Sequence, residues 1–346
     1  MSATLSVVVP VHDEAEHLPG TLDALVEAVA ASRFEADVVL VDDGSSDGSA
    51  EVAGSTLAER LPLHVVSQPN RGRFLARRAG VEAARGDWIL LLDARVRIQP
   101  RALAFVLDRL VTEARVWTSD VQVESDGNPY GTFWKLVAEL AWPDYFADPR
   151  ETSFGSADFD RFPKGTTCFF APRALLLGAL DAFRTRYSDP RHANDDTPLL
   201  RWISERERIH IAPDFGCSYS PRSTLRTFTR HALHRGTVFL DGHGRRESRF
   251  YPLAIGFFPA SALLAAGATR RPSLVPLAIL STSLAAAAFG LARGRNRSEI
   301  VSLALLAPVY AAAHGLGMWR GLQMVVADAL RGEARGSAAA DRLFGR

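Results

Sequence analysis

The sequence predicts an α/β protein built on a mostly parallel, Rossmann-like sheet, followed by C-terminal transmembrane helices. Three observations carry that expectation. Short runs rich in Val, Ile and Leu alternate with amphipathic stretches over residues 1–123, the pattern of a parallel sheet covered on both faces. Two of those runs, "VVLVDD" and "WILLLD", stop abruptly on acidic residues, as buried strands do where they emerge at a sheet edge. Finally, residues 251–268, 273–292 and 300–319 contain no Asp, Glu, Lys or Arg, and about 20 apolar residues suffice to cross a hydrocarbon core.

Taken in order, "LSVVVPV" reads as a strand, 15–31 as a helix, "ADVVLVDD" as a strand, 47–60 as a helix and "LHVVS" as a strand. A helix over 71–85, the strand "DWILLLDA" and a helix from Pro100 to about Glu113 complete the alternation. Ligands of such sheets gather at the carboxyl ends of the strands, near the point where strand order reverses. From 124 to about 220 the pattern loosens. "FWKLVAELAWPDYFADP" is aromatic and helical, and "RFPKGTTCFFAP" is a strand leading into a helix at Pro172, since proline suits the first helical position. A helix near 195–206 and the short strand "RIHIAPDF" follow. The three apolar segments are split only by "TRRP" and "RGRNRSE". A hydrophobic helical subdomain is the alternative to membrane insertion, but three such runs in succession favour insertion. The short basic connections give the positive-inside rule little contrast, and Pro252 and Pro259 can kink the first segment or keep it in one leaflet.

A chain of 346 residues makes one large domain or two ordinary ones. The formal charge of +1 excludes a nucleic-acid-like field. Almost every cation is Arg, with Lys135 and Lys164 the only lysines, and Arg binds phosphate in bidentate fashion. Cys168 and Cys217 form neither a metal-ligand spacing nor a disulfide framework. The opening "MSATLSVVVPVHDE" lacks a basic start and a long apolar region, so no signal peptide is expected.

Chemistry concentrates at the strand ends. The first strand runs into "VPVHDE" and the second into "VDDGSSDGS", where Asp42, Asp43, Gly44 and Ser45 place two carboxylates and a tight turn, with Asp47 set to cap the next helix. Downstream come "QPNRGRFLARRAGVEAARGDWILLLDA" and "HANDDTPLLRWISERERIHIAPDF". Together these resemble the large inverting family-2 glycosyltransferases of GT-A nucleotide-diphospho-sugar transferase fold. That family combines a Pro-containing strand end closing on Asn-Glu, an Asp-Asp-Gly-Ser turn, a helix of the NxGxxxARNxG kind and a strand ending in Asp-X-Asp. The likeness covers about residues 4–240 and is strongest over 4–100.

The resemblance implies a nucleotide-sugar-binding half over 1–123 and an acceptor-binding, catalytic half over 124–240, then a membrane region of about three helices over 250–320 and a tail over 321–346. It implies that Pro10, Val11 and Glu14 line the base and ribose pocket, that Asp43 accepts a hydrogen bond from the base, and that Gly72 admits the nucleotide to the backbone. Arg77 takes the family's Arg position, while Arg78 stands where the family has Asn. Asp93 matches the first carboxylate of Asp-X-Asp, and Arg95 stands where the second, a usual ligand of Mg2+ or Mn2+, is expected. This departure puts metal dependence in doubt without excluding it: Asp93 with phosphate oxygens and water can still hold Mg2+, or a carboxylate elsewhere binds the metal while Arg95 faces solvent. The leaving diphosphate needs cationic stabilisation, and the Arg95 guanidinium suits that work.

Asp195 and Asp196 occupy the family's Glu-Asp positions. By position Asp196 is the candidate base for the acceptor hydroxyl and Asp195 its supporting partner, and either can also cap the helix before Pro198. Thr166 and Thr167 lie where the family meets sugar or acceptor, and Arg235 and His231 where a basic helix approaches diphosphate. Arg222, Arg226 and Arg230, at helical i, i+4, i+8 spacing, face either that group or anionic lipid. The expected function is transfer of a sugar, with inversion, from a nucleotide-diphospho-sugar to a lipid-linked or glycan acceptor in cell-envelope glycan biosynthesis. The enzyme is expected to be a multi-pass membrane protein with its catalytic domain in the cytoplasm. The alternative is a catalytically silent GT-A-like membrane scaffold or partner subunit. A nucleotidyltransferase would need a Gly-rich phosphate loop after the first strand, which "VPVHDEAEHLPG" does not supply.

Overall fold

The computed structural model describes residues 3–246 and 248–334. In chain order the strands are β1 (Thr4–Val11), β2 (Glu35–Asp42), β3 (Leu63–Ser67), β4 (Trp88–Leu92), β5 (Val96–Ile98), β6 (Trp117–Thr118), β7 (Asp120–Val123), β8 (Thr152–Phe154), β9 (Cys168–Pro172), β10 (Ile209–Ile211) and β11 (Gly216–Tyr219). The helices are α1 (Leu18–Ala30), α2 (Ser49–Leu57), α3 (Arg73–Ala83), α4 (Ala102–Arg109), α5 (Pro129–Ala141), α6 (Pro143–Ala147), α7 (Arg173–Ala182), α8 (Thr197–Ser204), α9 (Leu225–His243), α10 (Tyr251–Arg270), α11 (Leu274–Ala292) and α12 (Arg297–Ala334).

Two compact units arise, and they do not follow the chain in sequence. The first comprises Met1–Val123, Ala141–Arg184 and Asp195–Ser220. Its main sheet has eight strands in the order β3-β2-β1-β4-β9-β6-β10-β8. β1 pairs in parallel with β2 on one side and with β4 on the other, so strand order reverses between β1 and β4. Leu5, Val7, Val8 and Val9 of β1 are wholly buried, which is why its sequence is apolar without alternation. Gly80 of α3 lets that helix press on the sheet: a Cβ there would lie 2.3 Å from Val8 Cγ1 and 3.0 Å from Val41 Cγ2.

β9 runs antiparallel to both β4 and β6, so the sheet is mostly rather than wholly parallel. A second sheet, β5-β11-β7, was not anticipated. The stretch "ARVRIQP" that follows β4 supplies β5 to it. α1 begins at Leu18, three residues beyond the start read from the pattern, because residues 12–15 form a loop in which Asp13 takes a positive φ of 54°.

The second unit comprises Glu124–Leu140, Thr185–Asn194 and Pro221–Arg346. Phe133 and Leu136 of α5, Phe228 of α9, and Leu303 and Leu306 of α12 form its core. Arg222 precedes α9, so only Arg226 and Arg230 of the expected basic stripe share that helix. α10, α11 and the segment Arg297–Arg331 of α12 are each long and apolar enough to cross a membrane. α12 continues past the apolar run through residues 321–334; the rest of the expected tail, 335–346, lies outside the described residues.

Candidate active site

The rim at the carboxyl ends of β1, β2 and β4 is assembled from short-range polar contacts. After β1, the Asp13 amide donates to Ser45 Oγ (3.2 Å), and the Ser46 amide donates back to Asp13 Oδ1 (2.8 Å). The Ala15 amide donates to Asp47 Oδ2 (2.8 Å) and the Glu14 amide to Ser49 Oγ (3.1 Å). Gly48, with φ of 81°, takes the N-cap position of α2, while Asp47 receives the Ser49 amide and hydroxyl. Burial works to raise the Asp47 carboxyl, but these hydrogen bonds outweigh it and hold the group below its ordinary value.

Asp43 is buried and spends its carboxylate on the next loop. Oδ1 accepts from Gln68 Nε2 (2.7 Å) and the Arg71 amide (2.8 Å), and Oδ2 accepts from the Gly72 amide (2.8 Å). A carboxylate has about four acceptor positions, so these bonds leave about one for a ligand. Two glycines make the arrangement possible. Gly44 has φ of 78° and a Cβ on it would sit 2.8 Å from the Asn70 amide nitrogen. Gly72, at φ 88°, forms the N-cap of α3. Pro10 is half-buried, and Val11 is buried in the core with its carbonyl accepting the Asp43 amide at 2.9 Å. Val11 therefore offers a ligand no side-chain surface.

The second cluster centres on Arg77 of α3, which is 3% exposed. Its Nη2 donates to Asp93 Oδ1 at 2.6 Å, and its Nη1 forms a very short contact with Asp195 Oδ2. Its Nε has no hydrogen-bond partner among the described residues. One turn earlier, Arg73 Nε lies 3.9 Å from Asp195 Oδ2, and the Asp195 carboxylate raises the Arg73 guanidinium above its already high range. The Asp93 amide donates to the Thr167 carbonyl at 2.8 Å, which fixes the end of β4 against the start of β9. Thr166, next to it, is buried. Asp196 is the N-cap of α8: its Oδ1 accepts from the Thr197 amide at 2.6 Å and the Thr197 hydroxyl at 3.2 Å.

Arg95 and Glu14 form a third element, with Nε 2.7 Å from Oε2. Neither atom meets hydrogen-bond geometry, so the contact is an ion pair without alignment. The structure thus gathers Glu14, Arg77, Asp93, Arg95, Thr167 and Asp195 at the rim beside the strand-order reversal, with Asp43 and Gly72 at the N-terminus of the helix that carries Arg77. Arg235 and His231 belong to the second unit, where both lie against Trp134, at 5.1 Å and 5.0 Å. Arg78 pairs with Glu82 and Asp181 on the surface.

Two participants, and one buried carboxylate outside the cluster, escaped the sequence reading. Arg73 stands at i, i+4 to Arg77 in "NRGRFLARR", a spacing that marks a shared helix face. Gln68 holds Asp43 and follows a strand with no motif to mark it. Asp120 begins β7, where the Ser119 amide donates to the Cys168 carbonyl at 3.0 Å, and is 6% exposed. Burial pushes the Asp120 carboxyl up, and burial, then the Asp120 charge, raises the buried Tyr145 phenol.

No group of three or more His, Cys, Asp or Glu suited to a metal ion occurs among the described residues. At the Asp-X-Asp position the protein offers one carboxylate, Asp93, already paired with Arg77, and a guanidinium where the second oxygen ligand belongs. These residues do not make a protein cage, but Asp93 with phosphate oxygens of a bound donor and water would suit Mg2+ or Mn2+.

A sequence model described as "Glycosyl transferase family 2" matches residues 6–171. The undecaprenyl-phosphate 4-deoxy-4-formamido-L-arabinose transferase of Pseudomonas fluorescens (strain SBW25) is 36% identical over 112 residues, 32% of each chain. That of Proteus mirabilis (strain HI4320) is 33% identical over 101 residues, 29% of this chain and 31% of the relative. The chain therefore spans about a third of the length of these curated relatives. Among solved structures, S. aureus TarS 1–349 in complex with UDP-GlcNAc is similar with a TM-score of 0.51 at 16% identity, over 90% of this chain and 92% of that one. The mannosyltransferase PcManGT from Pyrobaculum calidifontis, in complex with GDP-Man and Mn2+, gives 0.55 at 18%, over 92% and 88%. At such identities the structural likeness speaks for the fold alone. With the reversed strand order, the rim turns and the sequence match in accord, residues 6–171 resemble glycosyl transferase family 2, and the chain has the GT-A fold.

Proposed function

We propose that the protein is a membrane-anchored glycosyltransferase that moves a sugar from a nucleotide-diphospho-sugar to a lipid-linked or glycan acceptor of the cell envelope, with inversion. The observation that carries this reading is the acidic cluster at the rim: Asp93 and Asp195 share one buried guanidinium, and Asp196 follows directly at a helix N-terminus. In this reading Pro10, Val11, Glu14, Asp43, Gly72 and Asp93 form the donor side, with Val11 acting through its backbone. Arg77 acts at one remove, as a positioning residue that holds Asp93 and Asp195 in one frame.

Transfer to a hydroxyl forms a bond from the acceptor oxygen to the anomeric carbon and breaks the bond from that carbon to the diphosphate. Asp196 takes the acceptor proton, with Asp195 fixed beside it, and Thr166 and Thr167 border the acceptor. The departing diphosphate gains negative charge, which Arg95 meets once it turns from Glu14. Mn2+ accompanies GDP-Man in the Pyrobaculum neighbour. Here Asp93 with donor phosphate oxygens and water would hold such an ion, and the Arg95 guanidinium would share in meeting the charge.

The named relatives act on undecaprenyl phosphate, and the apolar helices support a lipid-linked acceptor for this chain as well. The catalytic face is assigned to the cytoplasm, where nucleotide sugars are made. The test is a panel of nucleotide sugars scored first by thermal stabilisation, since a bound donor raises apparent stability by mass action, and then by transfer to polyprenyl phosphate in vesicles. One donor that both stabilises and is consumed is expected. Nucleotide binding without turnover of any donor would favour the silent scaffold.

A further inference from the structure

The three apolar helices each contain a run long enough to span a bilayer, but they differ in surroundings. α12, at 38 residues against 20 and 19, also carries Arg320 and Asp328. α10 and α11 each bury a single residue in the protein, Ala254 and Gly290. Their apolar side chains, such as Leu263 and Leu284, are mostly exposed on all sides, as in helices surrounded by lipid. α12 instead buries a stripe along nearly its whole length, through Leu303, Leu306, Ala313, Met318, Val325 and Ala329.

Much of that stripe lies on α9, within the same compact unit. A Cβ on Gly236 of α9 would lie 2.0 Å from the His314 carbonyl oxygen, and one on Gly317 would lie 2.1 Å from that of Leu233, so the two backbones touch. Near one end of α12 the Ser302 hydroxyl donates to the Pro129 carbonyl at 2.6 Å. Near the other, Asp328 accepts the amide and hydroxyl of Ser188, each at 2.8 Å. From 302 to 328 this is about 39 Å of helix fastened to polar elements. α9 carries Arg226, Arg230, Arg235 and Asp241. A crossing α12 would draw these into hydrocarbon, where charged side chains are costly and rare.

We propose that only α10 and α11 cross the bilayer, as a hairpin, and that α12 runs along the membrane face beside α9. The hairpin legs have 20 and 19 residues, enough to span. Arg270 and Arg271 at the tip require headgroups or water, which only the far face supplies. The near face then carries Arg245, Arg246 and Arg249 before α10 and Arg293, Arg295 and Arg297 after α11, against two arginines at the tip. That contrast, hidden when three crossings are assumed, assigns the α9–α12 side to the cytoplasm.

Single cysteines at the exposed positions Ser223, Arg271 and Arg331 of the full chain, labelled with a membrane-impermeant maleimide in vesicles of known sidedness, test this. Cys168 and Cys217 are buried and contribute little background. Ser223→Cys and Arg331→Cys should react from the cytoplasmic face and Arg271→Cys from the opposite one. Labelling of positions 223 and 331 from opposite faces, or of 223 and 271 from the same face, overturns the proposal. A reporter enzyme fused after residue 346 gives an independent reading that leaves every native residue in place: cytoplasmic activity is expected, and activity on the far side contradicts it.

Discussion

The donor side and the acidic side of the rim are neighbours in one sheet but are held by different physics. On the donor side, residues 12–15, 42–49 and 68–72 are joined mainly by hydrogen bonds from neutral amides and hydroxyls to carboxylates, and the Asp43 carboxylate accepts from Gln68 and from the Arg71 and Gly72 amides. On the acidic side, two carboxylates share one buried guanidinium and a second arginine stands nearby. The first arrangement fixes a shape. The second stores compensated charge, which a substrate can rearrange. Binding should therefore follow the first and turnover the second.

The sharpest contrast comes from Asp196→Asn. Loss of a general base costs typically 10²–10⁴-fold in rate, so turnover onto a hydroxyl acceptor should fall by that order while donor affinity stays within a few-fold. A comparable loss of donor binding would erase the distinction between the two sides. Arg77→Met comes next. Removing one partner of a buried ion pair costs about 3–5 kcal/mol, so the melting temperature should drop steeply, and Arg77→Lys should restore stability more than activity because it lacks the two-pronged reach. Unchanged stability in Arg77→Met would show that the two carboxylates do not depend on it.

Arg95→Ala should lower turnover by about 10²–10³-fold, the scale of a lost oxyanion donor. Near-native turnover would remove Arg95 from the diphosphate. Asp43→Ala should act the other way: it leaves the Arg71 and Gly72 amides without their acceptor, weakening donor binding through a loosened loop at about 1–3 kcal/mol. The smallest effect belongs to Asp120→Asn. Burial raises the Asp120 carboxyl in the folded protein. Its stabilising, protonated form is therefore fully retained below the unfolded value near ~3.9, and that stability is lost as pH rises through the folded value. The variant should melt slightly higher than the native protein at pH 7 and equally at acid pH. A lower melting temperature at pH 7 would mean that the Asp120 charge has a stabilising role.

Much of the rim at the ends of β1, β2 and β4 was legible in the sequence because its signals are local. Uninterrupted Val and Leu runs mark β1, β2 and β4, and Asp42 to Ser45 announce a turn within four residues. The second sheet was not legible, since β5, β7 and β11 are three or four residues long and carry no periodicity. β9 was found but not its direction, because "CFFAP" reads alike in either sense. The bridge from Arg77 to Asp195 joins residues 118 apart in the chain, a distance over which no spacing rule operates. α12 shows the same limit from the other side: its run 300–319 is as free of charge as 251–268 and 273–292, and its packing on α9 is what separates it from them.

The central claim is that the rim activates a nucleotide-bound sugar for transfer, and one measurement addresses it directly. Purified full-length protein in vesicles containing polyprenyl phosphate should convert a labelled nucleotide sugar into a labelled lipid whose anomeric configuration is inverted relative to the donor. Retained configuration, or nucleotide binding with no labelled product from any donor or acceptor, would contradict it.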